Sequence, residues 1–433
     1  MTSTEPIPIV GSGLAGALLA CLLGQAGRRV ILFERRGDPR LLANSAGRSI
    51  NLALSTRGMH ALAQVGLLDS VLAQGVIMRG RMIHHLDGSL DYQPYGTDDT
   101  QALHSVSRAG LNRVLIEKAA SLPGVELRFE HRCTGVQLDT GAVDFATPTG
   151  PLTHTGSLIL GADGAYSAVR AAMQRRERFN FSQAYLEHGY KELHFPPGSG
   201  LEPHALHIWP RGGFMMIALP NADGSFTGTL FWPFTLFERL QTPEQVQAFF
   251  CEQFADAVPL LPTLTDDYAA NPTSSLVTVR CAPWHVGRAV LVGDASHAVV
   301  PFLGQGMNAA FEDCVTLVEE MQRHPEQPQR AFAAYDARRR ENCDVLAQLC
   351  LENFHEMRDH VGSRWFVWGK RLSLWLMRLV PGYVPLYTLV EFTRVPYAEA
   401  QRRVRQQQRW LALLLGGLGL VLLALGVGWL LAR

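Results

Sequence analysis

The chain alternates between short apolar runs and longer stretches whose apolar residues recur at helical spacing. Ile7–Val10 is an apolar run that passes at once into Gly11-Ser12-Gly13-Leu14-Ala15-Gly16, and Leu18, Leu19, Leu22 and Leu23 then mark one side of a helix. Val30–Phe33 is a second run, ending at Glu34. Similar patterns predict a helix over 56–65, paired strands at 82–86 and 90–95 around Asp87-Gly88, a helix from Ser107-Arg108, and strands over 125–133 and 153–162. Between about 175 and 280 strict alternation takes over, with strands at 204–209, 214–219 and 225–232 separated by Pro, Gly, Asn and Asp. A helix over 242–254 should be capped by Thr242, with Pro243 in its first turn. A further apolar run at 289–292 ends in Gly293-Asp294-Ala295-Ser296-His297-Ala298, and Ala310, Cys314, Leu317 and Met321 announce another helix. Beyond Pro325 the pattern is helical, at 332–351, 354–360 and 365–379.

Three of these strand ends carry nucleotide chemistry. The first has a strand, a G-x-G-x-x-G turn, a helix, a second strand and an acid 23 positions after Gly11, the full context of a dinucleotide fingerprint. Gly11 allows the turn, Gly13 admits backbone close to a pyrophosphate, and Gly16 lets helix pack on strand. Helix N–H groups favour the phosphates and Glu34 is placed for the adenosine ribose. On this pattern the nucleotide is NAD or FAD. The second is Gly161-Ala162-Asp163-Gly164 with Ser167 and Arg170, where Asp163 closes a strand before a helix. The third puts Asp294 at the carboxyl end of a strand, where α/β sheets hold ligands, and Gly304 and Gly306 let backbone pass close to one. Taken alone, a Gly-Asp pair reads better as a plain strand-to-loop turn, and the two earlier motifs reverse that reading.

Composition narrows the class. Thirty-nine basic residues balance thirty-nine acidic ones among 433, so no nucleic-acid partner is indicated. The seven cysteines form no close C-x-x-C pair, which argues for reduced thiols and against a zinc site. No charged and apolar leader opens the chain. Residues 410–432, by contrast, are 23 positions without a charge, and Arg402, Arg403, Arg405 and Arg409 precede them. A helix of that length spans about 34 Å, one hydrocarbon core, and the arginines would keep the bulk of the protein on the cytoplasmic side. The expected architecture is α/β: a Rossmann-type domain from 1–175 and 281–325, an antiparallel β domain from 176–280, a helical region from 326–400, and a basic segment with a transmembrane helix from 401–433.

Three nucleotide motifs in this order, with an antiparallel insert between the second and third, resemble the class A flavoprotein monooxygenases, which fold like para-hydroxybenzoate hydroxylase. Gly47-Arg-Ser-Ile-Asn-Leu-Ala-Leu-Ser55, Arg81 with Tyr95, Pro301 to Asn308, Asn353-Phe-His-Glu-Met357 and Pro385-Leu-Tyr-Thr388 narrow the likeness to the kynurenine 3-monooxygenase family, over about residues 7 to 400. The resemblance implies FAD held by Glu34, Arg35, Ala53, Arg108, Asp294, Met307 and Asn308, with the glycines 11, 13, 16 and 306 and Asp163 beside it. It implies a substrate carboxylate gripped by Arg81 and Tyr95, with Asn353 and Tyr387 completing the polar shell. Met215, Leu219, Phe231, Pro301 and Phe302 would line the aromatic side, with Gln305, Glu356 and Met357 nearby. Leu303 departs from the second Phe of eukaryotic relatives.

The activity implied is FAD-dependent hydroxylation of L-kynurenine at ring position 3, consuming NADPH and O2, in a protein anchored to a membrane by its C-terminus. The cofactor carries the bond chemistry, so no Ser-His-Asp or metal cluster is needed. Only one full dinucleotide fingerprint occurs, so NADPH is expected to dock transiently. From the residues alone, Arg81 and Tyr95 read as a surface Arg and an edge Tyr or, if their strands pair as a hairpin, as neighbours that grip a carboxylate, and His297 as a proton shuttle or a hydrogen-bonded structural histidine. Two rival activities share the motifs: a membrane-anchored flavin enzyme acting on a quinone-type ring or an isoprenoid chain, and a non-catalytic escort on the same fold.

Overall fold

The computed structural model describes residues 5–41, 51–98, 100–360, 369, 372–373, 375–377, 380 and 382–413. Residues 47–50, most of the helix expected over 365–379, and the apolar tail beyond 413 lie outside them.

The first glycine motif leads out of a six-stranded sheet. Val125–Arg128, Val30–Phe33, Ile7–Val10, Ile159–Gly161 and Ala289–Leu291 run parallel in that spatial order, and His285–Val286 closes the edge antiparallel. Ile7–Val10, Val30–Phe33, Ile159–Gly161 and Ala289–Leu291 are buried along their whole length, which is why they read as unbroken apolar runs. The helix Leu14–Gln25 packs against both Arg108–Ala120 and Gly306–Arg323, so the first and third nucleotide motifs share one core. All three motifs therefore open at the carboxyl ends of adjacent parallel strands, the edge at which such sheets bind ligands.

The second large sheet has seven strands, in the order Ser274–Ala282, Asn180–Phe195, Phe226–Pro233, Met215–Pro220, Ala205–Pro210, Gly80–His84 and Leu90–Pro94. The hairpin expected at 82–86 and 90–95 forms as Gly80–His84 with Leu90–Pro94, and it joins this sheet through a parallel pairing with Ala205–Pro210. Side chains alternate between two cores, as the pleat dictates. Trp209, Met216, Leu230 and Trp232 pack beneath the helices Phe234–Arg239, Pro243–Gln253 and Leu264–Ala270, whereas Ile208, Met215 and Phe231 face Phe302, Phe354 and Met357. Thr242 does cap Pro243–Gln253, in a capping box with Gln245.

The runs at 125–133 and 153–162 each divide. Val125–Arg128 belongs to the parallel sheet, but the chain then turns at Glu130, φ 59°, and Arg132–Gln137 pairs with Ala142–Thr147 in a separate three-stranded sheet completed by Gly150–Thr155. In the first of these runs pattern alone did not separate the pieces because both are partly exposed. The helical region holds Pro328–His355, a π-helical turn Glu356–His360, and Leu386–Glu391. Among the described residues no helix is long and apolar enough to cross a membrane.

Candidate active site

Arg81 projects from the strand Gly80–His84, Tyr95 stands just past its partner strand, and Tyr387 lies on Leu386–Glu391. The Arg81 guanidinium carbon is 4.9 Å from the centre of the Tyr387 ring and 5.8 Å from that of Tyr95, and the two rings stack at 5.5 Å. Arg81 is only 9% exposed and Tyr95 5%. Arg81 Nε and the Tyr95 hydroxyl have no hydrogen-bond partner among the described residues, so two buried donors await an acceptor. Burial opposes the Arg81 charge, but Tyr387, Tyr95 and Glu356 outweigh it and the guanidinium pKa is raised. Burial pushes the Tyr95 phenol up to about 12. A permanently charged cation next to a neutral phenol, each with a buried donor that lacks an acceptor, suits a carboxylate.

An apolar wall adjoins the clamp. Met215, Phe231, Phe302 and Met357 are buried in one cluster, with Phe302 edge-on to Phe231 at 4.8 Å and 4.4 Å from Phe354. Leu219 packs with Tyr95 in a smaller cluster that Tyr387 borders. Pro301 is exposed and Leu303 half-buried. Asn353 spends its amide on structure, donating to the Phe302 carbonyl at 2.7 Å and to the Met357 sulfur at 3.2 Å, so it sets the loop that carries Phe302. Gln305 is fully buried, and both ends of its amide are engaged: Nε2 donates to Glu391 at 2.6 Å and Oε1 accepts from the Tyr397 hydroxyl at 2.9 Å. Glu356 is half-buried.

On the nucleotide side the three glycines differ sharply. A Cβ on Gly16 would lie 1.9 Å from the Gly11 carbonyl oxygen, and one on Gly11, φ 99°, would lie 2.5 Å from that of Ala162. A Cβ on Gly13 would meet nothing within 4 Å. Gly11 and Gly16 are thus required by the protein itself, while Gly13 borders open space. Neither Leu14–Gln25 nor Gly306–Arg323 has a side-chain N-cap, so their first N–H groups are free to receive an anion. Glu34 accepts from Ser12 N at 2.9 Å and from Arg36 Nε at 2.9 Å; burial works against its charge, but the Ser12 N–H and Arg36 lower its pKa. Arg35, next to it, is exposed, as are Arg108 and Asp294. Asp163 turns inward and caps Ala168–Met173 through Ala168 N at 2.6 Å and Val169 N at 3.2 Å. Asn308 fastens the third motif to the strand Asn51–Leu54: its Nδ2 donates to the Ala53 and Gly304 carbonyls at 2.9 Å each, and Oδ1 accepts from Ser55 N at 3.0 Å. Met307 is buried and Gly306 half-buried at the start of that helix. The free N–H groups, the open side of Gly13 and an exposed Asp294 carboxylate fit the phosphates and sugar hydroxyls of FAD.

His297 is built into the core. Its Nε2 bonds Asp313, whose other oxygen accepts from Arg339 Nε at 2.7 Å, and the ring stacks on Trp284 at 5.0 Å. Arg339 and Arg57 share Glu312, and Arg57 lies 4.1 Å from the centre of the Tyr397 ring. His297, Asp313 and Cys343 could hold a metal by spacing, but the Arg339 guanidinium already occupies that cluster. Sequence reasoning missed Arg57, Tyr397 and Glu391. Glu391 alone left a signal, an acid one helical turn after Tyr387.

The two sheets and the paired glycine and clamp sites define a flavin-dependent monooxygenase. A family model described as the FAD binding domain matches residues 4–348, and solved structures share the fold: 2-methyl-3-hydroxypyridine-5-carboxylic acid oxygenase at TM-score 0.68, 22% identical over 85% of this chain and 96% of that one, and PqsL of Pseudomonas aeruginosa in complex with 2-aminobenzoylacetate at 0.70, 21% identical over 85% and 99%. Kynurenine 3-monooxygenase of Myxococcus xanthus is 46% identical over 91% of this chain and 87% of its own length. Those of Stenotrophomonas maltophilia and Dictyostelium discoideum are 45% and 46% identical, over 94% and 92% of this chain and 91% and 90% of their own. The chain belongs to the kynurenine 3-monooxygenase family.

Proposed function

We infer that the protein hydroxylates L-kynurenine at ring position 3 with FAD, NADPH and O2. The observation that carries this reading is the buried Arg81, flanked by Tyr95 and Tyr387 and bordered by the Met215, Phe231 and Phe302 wall. Arg81 and the Tyr95 hydroxyl would take the amino-acid carboxylate, and the wall would hold the aniline ring. Bound FAD, once reduced by NADPH, supplies the activation of O2 that makes one oxygen atom electrophilic. This chain's part is to fix the ring by its distant charged end and to keep water from the reacting face. A quinone-type ring has no use for a buried guanidinium, which disfavours that rival.

FAD would lie along the open side of Gly13, with its phosphates at the two uncapped helix starts and its sugar hydroxyls at Glu34 and Asp294. NADPH, with no second fingerprint to receive it, would dock transiently. Residues 401–433 would anchor the protein to a membrane with the catalytic part facing the cytoplasm, a reading supported by the arginines and the uncharged run after them. The decisive experiment is NADPH consumption by the purified yellow protein with and without L-kynurenine, the hydroxylated product being identified by mass. Oxidation that kynurenine does not stimulate, or a colourless protein, would refute the assignment.

A further inference from the structure

The helix that carries Tyr387 to Arg81 also carries an acid that takes no part in the carboxylate clamp. Glu391 is fully buried, sits one helical turn after Tyr387, and therefore projects to the same side of that helix. Its Oε2 accepts from Gln305 Nε2 at 2.6 Å, while Oε1 is buried with no hydrogen-bond partner among the described residues. Gln305 takes the Tyr397 hydroxyl on its Oε1 at 2.9 Å and turns its nitrogen toward Glu391. Oε2 is thereby committed as an acceptor, and Oε1 is the atom that remains available.

Resting on the kynurenine reading, we propose that Glu391 receives the substrate's α-ammonium group, Oε1 accepting its hydrogen bond, and so makes the site select an amino acid over a carboxylic acid with the same ring. An α-amino acid brings a carboxylate and an ammonium on one carbon. Arg81 and Tyr95 answer the first; without an acceptor, the second would be buried unpaired, at a cost of several kcal/mol. Arg81 Nε, the Tyr95 hydroxyl and Glu391 Oε1 are each buried without a partner among the described residues: two donors and, once Glu391 is ionised, one acceptor, which suits the carboxylate and ammonium of a zwitterion. Tyr387, one helical turn before Glu391, has its ring centre 4.9 Å from the Arg81 guanidinium and stacks on Tyr95 at 5.5 Å, so the helix brings Glu391 toward the clamp, and the field of Arg81 reaches it. Glu356, the other acid whose field reaches Arg81, is half-buried and so screened by solvent. The bland alternative is that Glu391 is merely the counter-charge of Arg81.

The two roles separate with 3-(2-aminobenzoyl)propanoate, which keeps the ring and carboxylate of kynurenine but lacks the amino group. In Glu391→Gln holoenzyme, binding of L-kynurenine should weaken by roughly 10- to 100-fold, the scale of one charged hydrogen bond, while the des-amino compound stays within about twofold of wild type. Retained binding of the des-amino compound also certifies that the variant is folded and holds flavin. Equal weakening of both ligands would assign Glu391 to Arg81 and overturn the proposal, as would no weakening of either. If Glu391→Gln does not load flavin, Glu391→Asp, which keeps the charge but withdraws it, repeats the comparison: selective weakening of L-kynurenine supports the ammonium role, and equal weakening overturns it. Wild-type enzyme that binds neither compound would instead sink the substrate reading, and the proposal with it.

Discussion

The guanidinium carbon of Arg81 lies 4.9 Å from the centre of the Tyr387 ring, so a strand near the start of the chain and a helix near its end are joined at one charge. Replacing Arg81 by Ala would remove the only buried cation facing Tyr95 and Tyr387 among the described residues. The Michaelis constant for L-kynurenine should rise by the equivalent of about 2 to 4 kcal/mol, the scale of stranding a desolvated carboxylate. An unchanged constant would exclude Arg81 from carboxylate binding.

Gly13 and Gly16 are expected to respond oppositely to one methyl group. Gly16→Ala places a Cβ 1.9 Å from backbone and should prevent stable packing of Leu14–Gln25 on the sheet. Gly13→Ala meets open space and should leave the apoprotein's thermal melt unchanged, while lowering FAD affinity by about tenfold or more, as the methyl intrudes where a diphosphate approaches. Titrating apoprotein with FAD distinguishes the two; undiminished affinity in Gly13→Ala would move the diphosphate elsewhere.

Asn308→Ala would leave Ser55 N–H and the Ala53 and Gly304 carbonyls without the partner that now holds them together. A loss of about 2 to 4 kcal/mol follows from stranding these buried groups. Denaturant unfolding of the apoprotein measures it directly, free of flavin binding.

Stability should peak in mildly acidic solution because of His297 and Asp313. Burial opposes both charges, but Cys343 and Asp313 raise the His297 pKa, while His297 and Arg339 lower that of Asp313. The raised histidine contributes fully below its unfolded value of about 6.5 and loses that contribution as pH climbs through its folded value; the lowered aspartate contributes above its unfolded value of about 3.9 and loses it as pH falls. Asp313→Asn should flatten the profile on both sides and cost about 3 to 5 kcal/mol, since His297 loses its counter-charge and Arg339, still held by Glu312, loses one of its two carboxylate partners. Melting curves across pH test this, and a variant that keeps the wild-type profile would refute it.

Affinity for L-kynurenine should rise with pH through about 8 if Glu391 meets the ammonium. Burial raises this carboxyl to about 8 against the pull of Arg81, Arg57 and Gln305, with Tyr95, Tyr387 and Tyr397 facing the same space, so below that pH it is protonated and a poor receptor. Binding should then release a proton, and Glu391→Gln should abolish the pH dependence. A wild-type dissociation constant that does not change between about pH 7 and 8 would contradict it.

If, as we propose, residues 401–433 anchor the protein to a membrane, removing residues 403–433 should release it, a fractionation experiment on cells expressing both forms. Persistence of the shortened chain in the membrane fraction would assign the attachment to another surface.

The sequence by itself determined the nucleotide half. Strand, glycine turn, helix and acid are contiguous, so their geometry follows from local backbone rules, and Gly11 and Gly16 behave as their spacing requires. It also carried the family likeness, through short motifs that keep their order along the chain. Tertiary structure decided the substrate end, because a buried clamp is a property of surfaces brought together and not of any one segment. Arg81 reads as a surface residue until the strand that carries it is found in the seven-stranded sheet, under a helix that arrives from residue 386 onward. Gln305, Asn353 and Asp163 have the same chemistry in sequence as in the fold, but only their partners show that they hold loops and helix ends in place. Glu391 is an ordinary helical acid until burial and one unpartnered oxygen make it exceptional, since the cost of desolvating a charge depends on everything packed around it and on nothing in its immediate sequence.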